Sequence, residues 1–160
     1  MLKILNSLAP FFEDAYRSIS VREYAKLVKI SPPTASKVLK EFTKEQYLQQ
    51  RGERKHLFFT LNIGNETVID LWRIYWKHKL QKLSWEFQAK LTGASGILFG
   101  SSAKAEANPN SDIDIAIESD DVKEYQILGF RELSEFEKII GRKIQIHLFS
   151  REKVDIGVFN

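Results

Sequence analysis

Residues Asp112 to Glu118 read Asp-Ile-Asp-Ile-Ala-Ile-Glu, with isoleucine at every second position. A period of two is the signature of a strand, because successive side chains leave opposite faces of the pleat. Asp112 and Asp114 therefore project from one face, two residues apart. Carboxylates so placed repel each other, and a shared cation relieves the repulsion. Upstream, Ile97-Leu98-Phe99 is a short apolar run between glycines and predicts a buried strand that ends at Gly100. Gly100-Ser101 and Asp112 are separated by the ten residues from Ser102 to Ser111. A glycine at a strand end lets a ligand approach the backbone. Ser101 is expected to open a helix, where its hydroxyl and the nearby N–H groups face a phosphate. Two hard oxygen ligands beside a phosphate grip suit Mg²⁺ or Mn²⁺ and metal-assisted phosphoryl chemistry.

The residues that follow complete a small α/β domain. Leu133, Phe136 and Ile140 have helical spacing, so a helix is expected from Phe130 to Ile140, stopped by Gly141. Lys143 to Phe149 alternates again, with Ile144, Ile146 and Leu148 on one face. The expected order from Gly93 to Asn160 is strand, short helix, strand, helix, strand.

The first sixty residues have a different pattern. Leu2, Leu5, Leu8, Phe12 and Tyr16 recur every three or four residues and predict a helix. Ser20-Val-Arg-Glu23 is a capping box, so a second helix should start at Val21, bury Tyr24, Leu27 and Val28, and end near Lys29-Ile30. Ser31-Pro32 starts a third helix that should run to about Gln46, with Ala35, Val38, Leu39 and Phe42 buried. Strands are expected at Tyr47–Arg51 and His56–Thr60, joined by the polar turn Gly52-Glu53-Arg54-Lys55.

Between the two regions, residues 63–92 predict one long linker helix opened by Asn65 or Thr67. Ile69, Trp72, Tyr75, Trp76, Leu80, Leu83, Phe87 and Leu91 form its apolar stripe, which suits a core or a seam between two subunits. Thr92-Gly93-Ala94-Ser95-Gly96 is the expected hinge. The N-terminus carries Glu13 and Asp14 and reads as neither a signal peptide nor a membrane span. The chain has no cysteine, which fits a reducing, cytoplasmic setting.

Charge is divided unevenly. Up to Thr92 there are 16 Lys and Arg against 9 Asp and Glu; from Gly93 on there are 8 against 12. A net charge of +3 thus hides a basic part at +7 and an acidic part at −4. A basic domain joined to an acidic one fits a part that meets polyanions and a part that does not, or that holds cations.

Two resemblances sharpen these expectations. The stretch GSSAKAEANPNSDIDIAIES resembles the signature of the minimal nucleotidyltransferases, a branch of the DNA polymerase beta superfamily, at Gly100, Ser101, Asp112 and Asp114. The resemblance implies that Asp112 and Asp114 are the catalytic and metal-holding pair. It implies that Gly100, Ser101 and the basic Lys104 hold the triphosphate of a nucleoside triphosphate, and that a hydroxyl attacks the α-phosphorus. Such proteins often act as antitoxins on a toxin-like partner protein, so a partner protein is implied. Gln145 stands where the family's third carboxylate is expected, and an amide neither carries its charge nor accepts a proton. His147 shares the Gln145 face.

Ser31–Lys40 and the segment LQQRGERKHLFFTLN resemble the recognition helix and wing of winged-helix regulators of the MarR or ArsR kind. The resemblance implies duplex DNA as a partner, read by Thr34, Ser36, Lys37 and Lys40 on the third helix and by Arg51, Arg54 and Lys55 on the wing. Such proteins commonly bind as homodimers. The expected fold is therefore a winged helix-turn-helix domain over residues 1–62, the linker helix, and a nucleotidyltransferase-like mixed-sheet α/β domain over residues 93–160. Two functions are open: Mg²⁺-dependent transfer of a nucleoside monophosphate to a hydroxyl, or a DNA-binding regulator or antitoxin whose second domain only binds.

Overall fold

Two serines set the start of two helices in the first part of the chain. In the computed structural model, Ser20 and Ser31 both adopt extended backbone, and each side-chain oxygen accepts the N–H three residues on, from Glu23 and Thr34, both at 3.3 Å. Each thus satisfies one of the donors a helix start leaves open. The structure describes residues 2–53, 56–90, 95–119, 126–128 and 133–150. It divides into two compact units, Met1–Tyr75 and Trp76–Asn160.

The first unit contains α1 (Leu2–Phe12), β1 (Ile19–Ser20), α2 (Val21–Leu27), α3 (Pro32–Lys44), β2 (Leu48–Glu53) and β3 (His56–Leu61), followed by the greater part of α4 (Glu66–Lys79). The strands form an antiparallel sheet in the order β1-β3-β2, with Ile19 opposite Phe59 and Arg51 opposite Phe58. The two-residue β1 has no periodic signal of its own; pairing with β3 makes it a strand. Leu8, Phe11, Phe12, Ile19, Leu39 and Phe59 are fully buried. The Phe12 ring meets Trp72 edge-on at 5.8 Å, and the Tyr75 hydroxyl hydrogen-bonds the Glu13 carboxylate.

Several expected ends and faces differ, each for a local reason. The first helix stops at Phe12, and Tyr16 is 58% exposed, because the Asp14 side chain accepts the Tyr16 N–H and turns the chain. α2 ends at Leu27. Lys29 is left-handed (φ 55°) and the Ile30 N–H closes onto the Ala25 carbonyl, a Schellman-type stop. This early stop leaves Leu27 44% exposed and Val28 only half-buried, while Ala25 is buried beside Tyr24. α3 ends at Lys44 because Gln46 is left-handed (φ 60°); Ala35 and Leu39 are buried, but Val38 and Phe42 are half-buried. Gly52 and Glu53 belong to β2 rather than to the turn, since Glu53 pairs with His56; Arg54 and Lys55 lie outside the described residues.

The expected linker helix is two helices, α4 and α5 (Gln81–Lys90), divided at Leu80. The hydrogen bonds survive the break, since the Leu80 N–H reaches Trp76 and the Ser84 N–H reaches Leu80. Trp72, Trp76, Leu80 and Leu83 of its stripe are buried within the single chain.

The second unit has a four-stranded sheet in the order β4-β5-β7-β6, from β4 (Ser95–Phe99), β5 (Ile113–Glu118), β6 (Gln126–Leu128) and β7 (Ile144–Phe149). β5 and β7 are parallel; the other pairs are antiparallel. Ser95 and Gly96 of the expected hinge are strand residues, and residues 91–94 lie outside the described ones. β6 was not expected; it is an edge strand of three residues, too short for a pattern. α6 (Leu133–Ile140) ends at Gly141, whose φ of 76° suits a residue without Cβ. One sheet face is apolar, with Ile113, Ile117, Ile144, Ile146 and Leu148 buried.

Tyr24 ties α2 to α1. Its ring stacks on Phe11 at 5.9 Å and its hydroxyl donates to the Ser7 carbonyl at 2.9 Å. Burial pushes its phenol up to about 12, although the Ser7 bond pulls the other way. A folded pKa above the unfolded one gives stability that is complete below pH 10.0 and lost as pH rises to about 12. Tyr24→Phe is expected to cost about 1 kcal/mol at neutral pH and to flatten the alkaline loss, as read by denaturant melts of both proteins from pH 8 to 12.

Candidate functional site

The other face of the second sheet is polar at one end, and the strand register makes it so. Asp114 lies opposite Phe99 on β4 and opposite Gln145 on β7; His147 lies opposite Ala116. Asp112, Asp114, Gln145 and His147 therefore share a face. The β7 side chains lean back along the sheet. Gln145 Nε2 donates to Asp112 Oδ2 at 2.8 Å, and His147 Nε2 stands 3.9 Å from Asp114 Oδ1. The Phe99 ring meets the imidazole edge-on at 4.9 Å.

Gly100 closes the arrangement. It is left-handed (φ 67°), and a Cβ built on it would stand 2.5 Å from Asp114 Oδ2. The Asp114 carboxylate thus lies against the bare backbone of Gly100, and the two halves of the sequence motif meet in space. Ser101 does not open an α-helix. Gly100–Ser102 is a single 3₁₀ turn, in which the Ala103 N–H bonds the Gly100 carbonyl, and the Ser101 carbonyl takes the Glu106 N–H. So short a turn has no useful macrodipole. Any phosphate grip there rests on the Ser101 hydroxyl and local N–H groups. Lys104 is exposed on the loop that follows, and Ala105 is buried in a left-handed conformation.

Two residues that position this site carried no sequence signal. Ser102 is fully buried and its hydroxyl donates to the Asp112 carbonyl at 3.4 Å, tying the Gly-Ser turn to the start of β5. Arg142 is buried; its guanidinium bonds the Asn108 and Ser111 carbonyls and lies 4.9 Å over the Trp76 ring. It thereby fastens the loop leading into Asp112. An arginine after a helix-stopping glycine reads as a surface residue until the fold brings that loop to it.

Burial pushes the Asp114 carboxyl above its ordinary 3.8; His147 pulls it down and the Asp112 charge pushes it up. Ionised Asp114 is thus held where its charge is disfavoured, which a cation would reverse. Two carboxylates on one face are hard oxygen donors of the kind that suit a divalent ion of the Mg²⁺ type. Among the described residues, no three His, Asp or Glu side chains are already gathered as a metal-binding set.

The sequence-expected DNA-contacting residues lie in the first unit. Thr34, Lys37, Lys40 and Arg51 are exposed, and Ser36 is half-buried. The Thr34 hydroxyl is 2.8 Å from that of Ser31, so it takes part in the cap of α3. Arg54 and Lys55 are outside the described residues.

Residues 79–156 match the family model of the nucleotidyltransferase domain. The match spans every residue of the polar face and supports a nucleotidyltransferase-type function for this part of the chain. It begins at the end of α4 and takes in the Gly100 turn, the Asp112/Asp114 pair and β7. Neither the curated proteins nor the solved structures include a match to the chain. Among the described residues, no helix is long and apolar enough to cross a membrane.

Two outcomes follow for the nucleotidyltransferase-like domain. Gly100→Ala should cost about 1–2 kcal/mol for the left-handed backbone alone and should also displace the Asp114 carboxylate; calorimetry in the absence of metal reads the first. A raised folded pKa at Asp114 means stability is complete at acid pH and lost as pH rises through the folded value. Asp114→Asn removes that loss, so its melting temperature should exceed the parent's at pH 7 and converge with it at pH 3. A variant less stable than the parent at pH 7 would contradict the assigned electrostatics.

Proposed function

We propose that the second unit binds a nucleoside triphosphate with a divalent cation, Mg²⁺ or Mn²⁺, and transfers the nucleoside monophosphate to a hydroxyl acceptor. The observation that carries this reading is the seating of the Asp114 carboxylate against Gly100, with Asp112 just before β5 and bonded to Gln145, the residue opposite Asp114. Asp112 and Asp114 hold the cation. Ser101 and Lys104, beside the Gly100 turn, contact the polyphosphate. A bound cation supplies neutralisation of the charge on the phosphoryl oxygens. In the transfer, the acceptor oxygen bonds to the α-phosphorus, the bond to the bridging oxygen breaks, pyrophosphate leaves, and the hydroxyl proton passes to solvent.

We propose further that residues 1–62 form a winged helix that binds duplex DNA. The sheet order β1-β3-β2, with β1 between α1 and α2 and the β2–β3 hairpin after α3, supports this reading, as do the exposed Lys37, Lys40 and Arg51. A two-fold DNA site would be met by a homodimer.

A second reading is favoured by one contact. Gln145 donates an amide hydrogen bond to Asp112 where a proton-accepting carboxylate would serve two-cation catalysis. On that reading the protein is a DNA-binding regulator or antitoxin whose second unit binds nucleotide or a toxin-like partner protein without turnover.

Incubation of the full chain with α-³²P-labelled nucleoside triphosphates, Mg²⁺ or Mn²⁺ and cell lysate separates the two. Label transfer that disappears in Asp112→Ala/Asp114→Ala supports the transferase. No transfer, together with binding to duplex DNA that weakens steeply with salt, supports the regulator.

A further inference from the structure

An open sheet edge presents unpaired N–H and C=O groups and pairs with other chains unless something blocks it. Among the described residues the two sheets have four edge strands, and three of them are blocked. β1 has two residues and β6 has three, too few to template a partner. β2 carries the exposed charges of Arg51 and Glu53. β4 has no such device. Its five residues, Ser-Gly-Ile-Leu-Phe, contain neither a charge nor a proline, and they pair with β5 in unbroken register, so no bulge turns the edge away. Ser95 and Gly96 are exposed, Ile97 is 52% exposed, and a Cβ on Gly96 would meet nothing within 4 Å.

We infer that β4 is the interface between two copies of this chain, the strands pairing antiparallel about a two-fold axis at Ile97. This rests on the homodimer proposed above and gives it a seam. The helical stripe expected to form one is used within the chain, since Trp72, Trp76, Leu80 and Leu83 are buried. β4 is self-complementary about Ile97. Phe99 falls opposite the partner's Ser95 and Leu98 opposite the partner's Gly96, so each large side chain meets a small one, and the two exposed Ile97 side chains cover each other. An uncharged strand also meets its own copy without like-charge repulsion. The axis stands perpendicular to the sheet, so two four-stranded sheets join into one. Ile97 and Phe99 share the face of Asp114, which pairs with Phe99; both acid pairs therefore open on the same side of the joined sheet. Five residues make a small contact, so the dimer dissociates on dilution.

The chain has no cysteine, so one introduced thiol reports one contact. Sedimentation velocity of the full-length protein should show a monomer–dimer equilibrium. Ile97→Cys should give a disulfide-linked dimer on mild oxidation, because directly opposite strand residues stand about 4.5–5.5 Å apart at Cα, within disulfide reach. Ile139→Cys, at a site 77% exposed on α6, should link far more slowly. Ile97→Lys sets like charges opposite each other and should weaken the dimer at least about tenfold, with the circular dichroism of the monomer unchanged. A dimer that Ile97→Lys leaves intact and Ile97→Cys does not link overturns the β4 interface and leaves the homodimer reading standing. A chain that stays monomeric across the concentration series and does not link at Ile97 overturns both. Where Ile97→Lys fails to fold, the Ile97→Cys link decides.

Discussion

Two negative charges forced onto one strand face are the constraint around which the second unit is arranged. Asp114 lies on β5, and Asp112, the residue just before β5, is held beside it by the Gln145 amide and by the Ser102 bond to its carbonyl. Burial, and to a smaller extent the Asp112 charge, lift the Asp114 carboxyl. Each acid is countered by a different neighbour on β7, an amide for Asp112 and an imidazole for Asp114. The Asp114 carboxylate fills the space that a Cβ on Gly100 would need. The ionised pair is thus costly as it stands, and a cation placed between the two carboxylates would lower that cost.

The supports of that face come from residues distant in sequence. Ser102 and Arg142 both grip backbone carbonyls at or just before the start of β5. A loop of ten residues between the Gly-Ser turn and the first aspartate would otherwise be free to move the carboxylates. Fixing the loop at its carbonyls holds Asp112 in place. Catalytic and binding groups need this kind of indirect support to stay in productive geometry.

Much of the architecture was legible because local rules agreed with the final packing. The caps at Ser20 and Ser31, the alternation in β5 and β7 and the stop at Gly141 all act through neighbours within a few residues. The errors fell where the decision was tertiary or lay in a single backbone angle. Lys29 and Gln46 adopt left-handed conformations that no residue-type rule requires, and each shortened a helix. The Ser101 helix was inferred from the motif, but the chain makes only a 3₁₀ turn there. β1 and β6 exist because β3 and β7 offer them partners.

The sequence by itself determined that two aspartates share one face, that a glycine ends the strand before them, and that Gln145 and His147 share a face of a later strand. Period and spacing are enough for this, because a strand has only two faces. Only the tertiary structure decided that Asp114 rests on Gly100, that Gln145 reaches Asp112 rather than the Asp114 directly opposite it, and that His147 stands beside Asp114. Those facts depend on which strands become neighbours and in what register, and parallel pairing of β5 with β7 is a property of the whole sheet.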